Sequence, residues 1–172
     1  MSDTLSKLVT DEACHLLDQS MNKIRNCVDQ LDEKQVWFRP ADDLNSIGNL
    51  LLHLAGNLKQ WAISGIGESP DNREREKEFT QREVIAPNQL LEQLQNVVDA
   101  AKKQFDSLSP ATLEETRVIQ GFETTVYAAM SHTTTHFVGH THQIIYLTRL
   151  QLGENYRFEW TPESGSFKNV PI

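Results

Sequence analysis

The sequence predicts an all-α fold, a single four-helix bundle spanning residues 1–172. Apolar residues recur every three or four positions in four separate segments, which is the spacing of amphipathic helices. The stretches between these segments contain Pro, Gly and Asx/Ser clusters typical of connectors. With 172 residues, of which 38% are hydrophobic and 23% charged, the chain suits one domain with a continuous core. Four amphipathic helices in one domain bury their apolar stripes against one another as a bundle.

The first two helices are predicted in the first 67 residues. Apolar residues form one stripe over residues 5–31, which corresponds to about seven helical turns. The connector that follows contains Pro40, and Ser46 or Asn45 near its end can cap the second helix. Gly65 and Gly67 are expected to end that helix. Its core face consists of Leu50, Leu51, Leu54, Leu58 and Trp61.

A long crossover is predicted between the second and third helices. Residues 68–86 are charged and contain Pro70, which indicates a connection on the surface. Its length allows the third helix to run in the same direction as the second. The third helix is predicted over residues 87–108, because Pro87 suits a first turn and Ser109 and Pro110 stop the pattern.

The fourth helix carries most of the histidines. It is predicted over about residues 125–152, with Gly153 as the residue just beyond its C-terminus. The tail, residues 154–172, is expected to fold over the body as irregular structure. The aromatic residues of this tail are Tyr156, Phe158, Trp160 and Phe167.

Charge and composition exclude several classes of function. The formal net charge is −8 and the run REREKE, residues 73–78, alternates in sign, so nucleic acid is not the expected partner. A small-molecule substrate fits better. No apolar run approaches the roughly 20 residues of a membrane span, and no signal peptide is visible, so a cytoplasmic location is expected.

The cysteines do not predict a disulfide. Cys14 and Cys27 lie on the first predicted helix, where thirteen residues correspond to roughly 20 Å of rise. That distance is too long for a bond within one chain, so reduced thiols are expected.

Four of the six histidines lie within residues 132–142. His132, His136 and His140 are spaced four apart and therefore stack along one face of a helix, whereas His142 points to roughly the opposite side from His140. His132 and His140 are separated by about 12 Å of rise. Because metal–nitrogen bonds are about 2.0–2.1 Å long, a single ion can bridge only one pair of this ladder.

A third ligand must then come from another helix. His53 is the only histidine of the second helix, and Asn49 and Asn57 flank it by one turn on either side. Three histidines with further positions open to water are typical of a reactive metal site. Histidines spaced in this way also occur on exposed helix surfaces, and a cluster that titrates near neutral pH is a further alternative. The residues alone leave these three interpretations open.

Other reaction chemistries find less support. No Gly-rich phosphate loop, GxSxG elbow or CxxC pair occurs in the sequence. A Cys14–His15 nucleophile pair is disfavoured because adjacent side chains on a helix diverge by about 100°. His15 is expected to lie on the surface.

Two segments resemble a known family. NSIGNLLLHLAGN and HFVGHTHQIIYLTRLQLG look like the signature segments of the DinB/YfiT-like superfamily of four-helix bundles. On this resemblance His53 is the first metal ligand, and His136 and His140 are the paired ligands. The usual Arg-Gly is replaced by Thr141 and His142; neither position is a ligand, so the difference concerns oligomer geometry. The segment FEWTPESGSFKN further resembles a subgroup of unknown function.

The resemblance implies an activity as well as a site. Similar proteins bind a divalent ion, zinc or nickel, and some transfer bacillithiol, mycothiol or glutathione to an electrophile or isomerise maleylpyruvate. The expected function is a metal-dependent thiol S-transferase, with a metal-dependent hydrolase or a non-catalytic, stress-associated metal-binding dimer as alternatives. A homodimer is expected. Residues that could lie beside the ligands or the substrate are Asn49, Asn57, Gln143 and Tyr146.

Overall fold

The computed structural model describes residues 2–159 of the chain. Seven α-helices and two short strands follow one another in this part of the chain: α1 (Asp3–Val28), α2 (Glu33–Val36), α3 (Ile47–Leu58), α4 (Arg75–Thr80), α5 (Pro87–Asp106), α6 (Pro110–Glu114), β1 (Thr116–Ile119), β2 (Phe122–Thr125) and α7 (Val126–Leu152). Helix α1 packs against α5 and α7, and α3 packs against the same two helices, so α1 lies diagonally opposite α3. The predicted four-helix bundle is confirmed.

Side-chain hydrogen bonds from capping residues mark the first residues of helices α3 and α7. Ser46 caps α3: its hydroxyl accepts a hydrogen bond from the Asn49 N–H, and the Asn49 side chain accepts one from the Ser46 N–H. Thr125 caps α7 in the same way through the N–H of Ala128. Such caps satisfy N–H groups that have no partner within the helix. The core between the helices includes the fully buried side chains of Leu17, Ile24, Leu54, Leu94, Phe105 and Phe137.

Helix α3 does not end at Leu58 but continues as a π-helical segment, Lys59–Ile66. The wider turn of a π-helix changes which side chains face the bundle, and such segments are frequent at functional sites. Within this one, Trp61 is buried, and its ring lies 4.2 Å from that of His132 on α7. The helical spacing of the sequence does not predict this change of pitch.

Besides the short helix α6, three further elements were not predicted. The first is α2, which continues the chain after α1. The second is a hairpin in which β1 pairs antiparallel with β2, with Gln120 and Gly121 at positive φ in its two-residue turn. The third is α4, which lies inside the crossover at residues 75–80. The crossover is therefore not only a surface connection, because Glu78 of α4 is 8% exposed.

The remaining predictions concern the cysteines, the tail and the membrane. Cys14 and Cys27 are free and buried, and burial raises the pKa of the Cys14 thiol to about 11. Residues 156–159 carry no helix or strand, and Tyr156 packs against the core. Trp160 and Phe167 lie outside the described residues. Over residues 2–159, none of the helices combines the length and the apolar character that crossing a membrane requires.

Candidate metal centre

The structure brings His53, His136 and His140 together between α3 and α7. Each contributes a ring nitrogen, and these three atoms all lie within 4.8 Å of one another. The ring centroids of His53 are 5.0 Å from those of both His136 and His140, and the α7 pair is 4.4 Å apart. The spacing of four residues stacks the pair on α7, and packing of α3 against α7 supplies the third ring.

His53 is held by a buried ion pair from the crossover. Its Nδ1 lies 2.9 Å from Oε2 of Glu78, and Arg73 binds the same carboxylate through Nε and Nη2 at 2.7 and 2.8 Å. Burial by itself would raise the pKa of Glu78, but the hydrogen bonds from Arg73 and His53 outweigh it and hold that pKa below its usual value. The carboxylate is therefore ionised at neutral pH.

The ionised carboxylate determines the tautomer of His53. Arg73 Nη2 also approaches Nδ1 of His53, at 3.2 Å, but its shorter contact is with the Glu78 carboxylate. We assign the hydrogen to Nδ1, since an ionised oxygen 2.9 Å away would repel a ring lone pair there. The lone pair of His53 is then on Nε2, which faces His136 across 3.1 Å.

The two α7 histidines are kept neutral by their surroundings. Burial, followed by the nearby His140 and His53, lowers the pKa of His136 to about 3. Burial also lowers the pKa of His140, although the hydrogen bond from its Nδ1 to Oε1 of Gln143 opposes the shift. That bond leaves the Nε2 of His140 as its free ligand atom. Among the described residues, the buried Nδ1 of His136 has no hydrogen-bond partner.

This donor set fits a divalent transition-metal ion. Neutral imidazoles bind zinc, copper, iron and nickel, and the lowered pKa values of His136 and His140 leave the lone pairs of these two rings free of a competing proton at neutral pH. Two nitrogens bound to one ion lie roughly 3 Å apart when each bond is about 2.0–2.1 Å. The 3.1 Å between the Nε2 atoms of His53 and His136 agrees with that spacing.

The other histidines lie apart from this cluster. His132 is exposed and stacks on Trp61, and its ring centroid is 6.1 Å from that of His136. His142 is exposed and its Nδ1 donates to the carbonyl of Val138. His15 is exposed on α1, as expected.

The four residues predicted to lie beside the site have different positions. Gln143 contacts His140 directly. Asn49 is buried and donates to the backbone carbonyl of Glu78 at 2.8 Å, so it holds the crossover rather than a ring. Asn57 is buried and accepts a hydrogen bond from the Thr133 hydroxyl, which joins α3 to α7. Tyr146 is 68% exposed and lies further along α7.

The sequence analysis missed the residues that support His53. Arg73 and Glu78 are the two ends of the REREKE run, which was interpreted as a locally neutral surface segment. In the structure their side chains are 5% and 9% exposed. One signal was present: Phe79, an aromatic residue in a charged stretch, packs with its ring 4.8 Å from that of His53.

A groove beside Gln143 lies between α7, α3 and the connector that precedes α3. It has a volume of about 470 Å³, and Gln143, Leu44, Leu50 and Tyr146 are among the residues that line it. Gln143 thus contacts His140 on one side and the groove on the other. The groove is mainly apolar, which is typical of small-molecule sites.

Known proteins similar to this chain share its fold. Residues 5–163 match a family model described as "Protein of unknown function (DUF1572)". A conserved protein from Enterococcus faecalis superposes with a TM-score of 0.68 at 18% identity, covering 84% of this chain and 97% of that one. A DinB-like protein from Bacillus subtilis gives 0.65 at 15% identity, with coverage of 86% and 96%.

A third solved structure carries a description of function. YfiT from Bacillus subtilis superposes with a TM-score of 0.67 at 16% identity, covering 83% of this chain and 87% of that one. It is described as a probable metal-dependent hydrolase with an unusual four-helix bundle topology. No curated protein matches the sequence at a significant level.

Proposed function

The chain belongs to the DinB-like family DUF1572, as its resemblance predicted, and on that premise we propose that it is a metal-dependent enzyme acting on a small molecule. His53, His136 and His140 are its metal ligands. The observation that carries this proposal is the convergence of three ring nitrogens within 4.8 Å. Zinc and nickel are the ions that the family resemblance implies, and neutral imidazoles suit both.

The chemistry follows from the type of site. His53, His136 and His140 would hold a divalent ion, which would lower the pKa of a coordinated water or thiol and so supply a nucleophile at neutral pH. The chain's own residues orient the ligands: Glu78 fixes the His53 ring, and Gln143 fixes the His140 ring. The groove lined by Gln143 and Tyr146 offers space for an apolar substrate, and Gln143, which contacts His140, connects this groove to the ligands.

We favour a thiol S-transferase whose thiol comes from a cosubstrate. Cys14 and Cys27 are buried on α1, and burial raises the pKa of both thiols, so neither is suited to act as the nucleophile. A metal-dependent hydrolase is the second candidate, and the description of YfiT favours it. The third candidate is a metal-binding bundle without catalysis.

The first test is metal content. Purified protein should contain about one zinc or nickel ion per chain by elemental analysis, since three imidazoles suffice for one catalytic-type site. His136→Ala should lose that ion, whereas His142→Ala, on the same helix but bonded to Val138, should retain it. Equal metal content in wild type and His136→Ala would overturn the proposed site.

The second test separates the three candidates. The metal-loaded protein is assayed with electrophiles in the presence of bacillithiol, mycothiol or glutathione, and with ester and amide substrates in the absence of any thiol. Thiol-dependent turnover that is lost in His136→Ala supports the transferase. Turnover without a thiol supports the hydrolase, and stoichiometric metal binding without turnover supports the non-catalytic bundle.

We also propose a cytoplasmic homodimer formed through the outer face of α7. Leu150 on this face, with Phe158 beside it, is 55% exposed and Phe158 is 56% exposed, and an apolar helix face of this kind can pair with its copy. Light scattering should give twice the chain mass of 19.6 kDa, and Leu150→Glu should shift it toward the monomer. A monomeric wild-type protein would contradict the dimer but not the metal site.

A further inference from the structure

One face of α3 carries both the candidate ligand and the contacts that hold the crossover. Asn49, His53 and Gly56 follow one another at spacings of four and three residues, so they lie on the same side of the helix. Asn49 donates to the backbone carbonyls of Glu78 and Gln81, at 2.8 and 3.3 Å. The backbone of the crossover is thereby held against the face of α3 that carries His53.

The side chain of Glu78 is fixed just as firmly. Arg73 binds both carboxylate oxygens, and its Nη1 donates to Oε1 of Gln60 at 2.8 Å. Gln60 lies in the π-helical segment and also accepts a hydrogen bond from Gln120 at the hairpin turn. A continuous chain of hydrogen bonds therefore leads from the hairpin to His53.

Gly56 leaves the space that this carboxylate occupies. A Cβ at position 56 would overlap Oε1 of Glu78 and would lie 2.8 Å from its Cδ and 3.0 Å from Nε of Arg73. Both oxygens of this carboxylate are hydrogen-bonded, so it cannot move away from an added Cβ without losing its bonds to Arg73 and His53. The glycine three residues after His53 is thus explained by a side chain from a distant segment.

Glu78 is not placed as a ligand itself. Its Oε1 is bound by Arg73, and its Oε2 is bound by both Arg73 and His53 Nδ1. The cluster of mutually close ligand atoms in the described chain contains the three histidines and no carboxylate. The carboxylate meets the ring on the side opposite Nε2, the atom that faces His136.

We infer that Glu78 is the positioning residue of the metal centre, and that the crossover packed on α3 sets the tautomer, orientation and basicity of His53. This inference rests on the proposed role of His53 as a ligand. A carboxylate that accepts a hydrogen bond from the far nitrogen of a metal-binding imidazole fixes its ring and strengthens it as a ligand.

The first experiment needs no metal. Long-range ¹H–¹⁵N correlation spectra of the metal-free protein report which ring nitrogen of His53 carries the hydrogen. The wild-type protein should show His53 protonated at Nδ1, and Glu78→Ala should shift the population toward the Nε2–H form. Protonation at Nε2 in the wild-type protein, or an unchanged tautomer in Glu78→Ala, would overturn the inference whether or not metal binds.

The second experiment measures metal affinity by chelator competition with Zn²⁺. Glu78→Gln should weaken binding by about 10- to 100-fold, as is typical when a hydrogen-bonded partner of a ligand is lost. Glu74→Gln is the matched control, since Glu74 is on the same segment but its side chain is 65% exposed and pairs with Lys77. That variant should bind Zn²⁺ as the wild type does.

Glycine substitutions supply an independent test. Gly56→Ala should weaken Zn²⁺ binding as Glu78→Gln does, because the added Cβ displaces the carboxylate. Gly139→Ala is its control: Gly139 also lies in a helix, next to His140, but nothing is within 4 Å of its Cβ position. Alanine is the better helix former, so a loss at position 56 cannot be attributed to helix propensity.

The outcomes distinguish this inference from the proposed function. If Glu78→Gln and Gly56→Ala bind Zn²⁺ as tightly as the wild type, Glu78 does not position the ligand, although the metal site stands. If the wild type binds no Zn²⁺, the proposed function fails. A changed d–d absorption band in Co²⁺-loaded Glu78→Gln that is absent in Glu74→Gln supports an effect on the ligand field rather than on folding.

Discussion

The two sides of the candidate metal centre are built differently. On the anchored side, formed by His53 with Glu78 and Arg73, the ring is 5% exposed and is held by a buried ion pair. On the open side, formed by His136 and His140 with Gln143, the rings are half-buried and the one described side-chain partner outside the ring cluster is an exposed amide. The difference shows that the two histidines on α7 are aligned by their own helix, whereas the single histidine on α3 needs a partner from another segment.

A pair of histidines on one helix is aligned by the helix itself. Residues four apart share a rigid backbone, so the relative position of His136 and His140 requires only that α7 forms. His53 stands alone on α3, and its ring would be free to rotate about its side-chain bonds without an external partner. The buried charges on the anchored side supply that partner, and the predictions below test the division.

The largest effect is expected at Arg73. Replacing it by Leu leaves the carboxylate of Glu78 buried without its cation, and breaking a buried pair in this way typically destabilises a protein by about 3–5 kcal/mol. Urea unfolding of the metal-free variant measures this loss. Lys77→Leu is the control, because the Lys77–Glu74 pair is exposed and such pairs contribute about 0–1 kcal/mol. If both variants lost the same free energy of unfolding, the buried Arg73–Glu78 pair would contribute no more to stability than the exposed pair.

The two sides should also respond to acid in different pH ranges. The lowered pKa of His136 means that the unfolded chain binds a proton, below the ordinary value of 6.5, that the folded protein does not bind. Stability is therefore lost as pH falls below 6.5, and the loss continues down to about 3. The pKa of Glu78 is also lowered, so its contribution is present above the ordinary value of 4.5 and is lost below it.

Urea unfolding of the metal-free protein at a series of pH values separates these contributions. His136→Gln should reduce the slope of stability against pH between 6.5 and 4.5, the ordinary values of the two groups. Glu78→Gln should change the slope mainly below 4.5. An unchanged slope in the upper range for His136→Gln would mean that His136 titrates normally in the folded protein.

The open side is also the side that the sequence could predict more fully. The stacking of His132, His136 and His140 along one helix face depends on neighbours within one turn, and local pattern predicted it. The choice of His136 and His140 as the pair and the role of His53 as a third ligand needed the family resemblance, and all three ligand assignments remain predictions.

The anchored side depends on contacts between distant parts of the chain. Glu74, Glu76 and Glu78 belong to the same charged run, and only the third is buried. What distinguishes it is the space beside Gly56, which lies 22 residues earlier. Neither periodicity nor charge pattern contains that information. The π-helical pitch that brings Gln60 to Arg73 is likewise set by packing and not by the spacing of apolar residues.

The smallest effect is expected at Gln143. Its hydrogen bond to His140 is exposed, and such a bond contributes about 0.5–1 kcal/mol, so Gln143→Leu should weaken Zn²⁺ binding by about two- to fivefold. Gln143→Glu places a carboxylate at the same position and should tighten binding, because it gives His140 the type of partner that His53 already has. Chelator competition measures both variants beside Glu78→Gln. The contrary result is a loss of Zn²⁺ affinity in Gln143→Leu as large as that in Glu78→Gln. That result would mean that the buried carboxylate and the exposed amide contribute equally to Zn²⁺ affinity, and it would contradict the difference between the two sides.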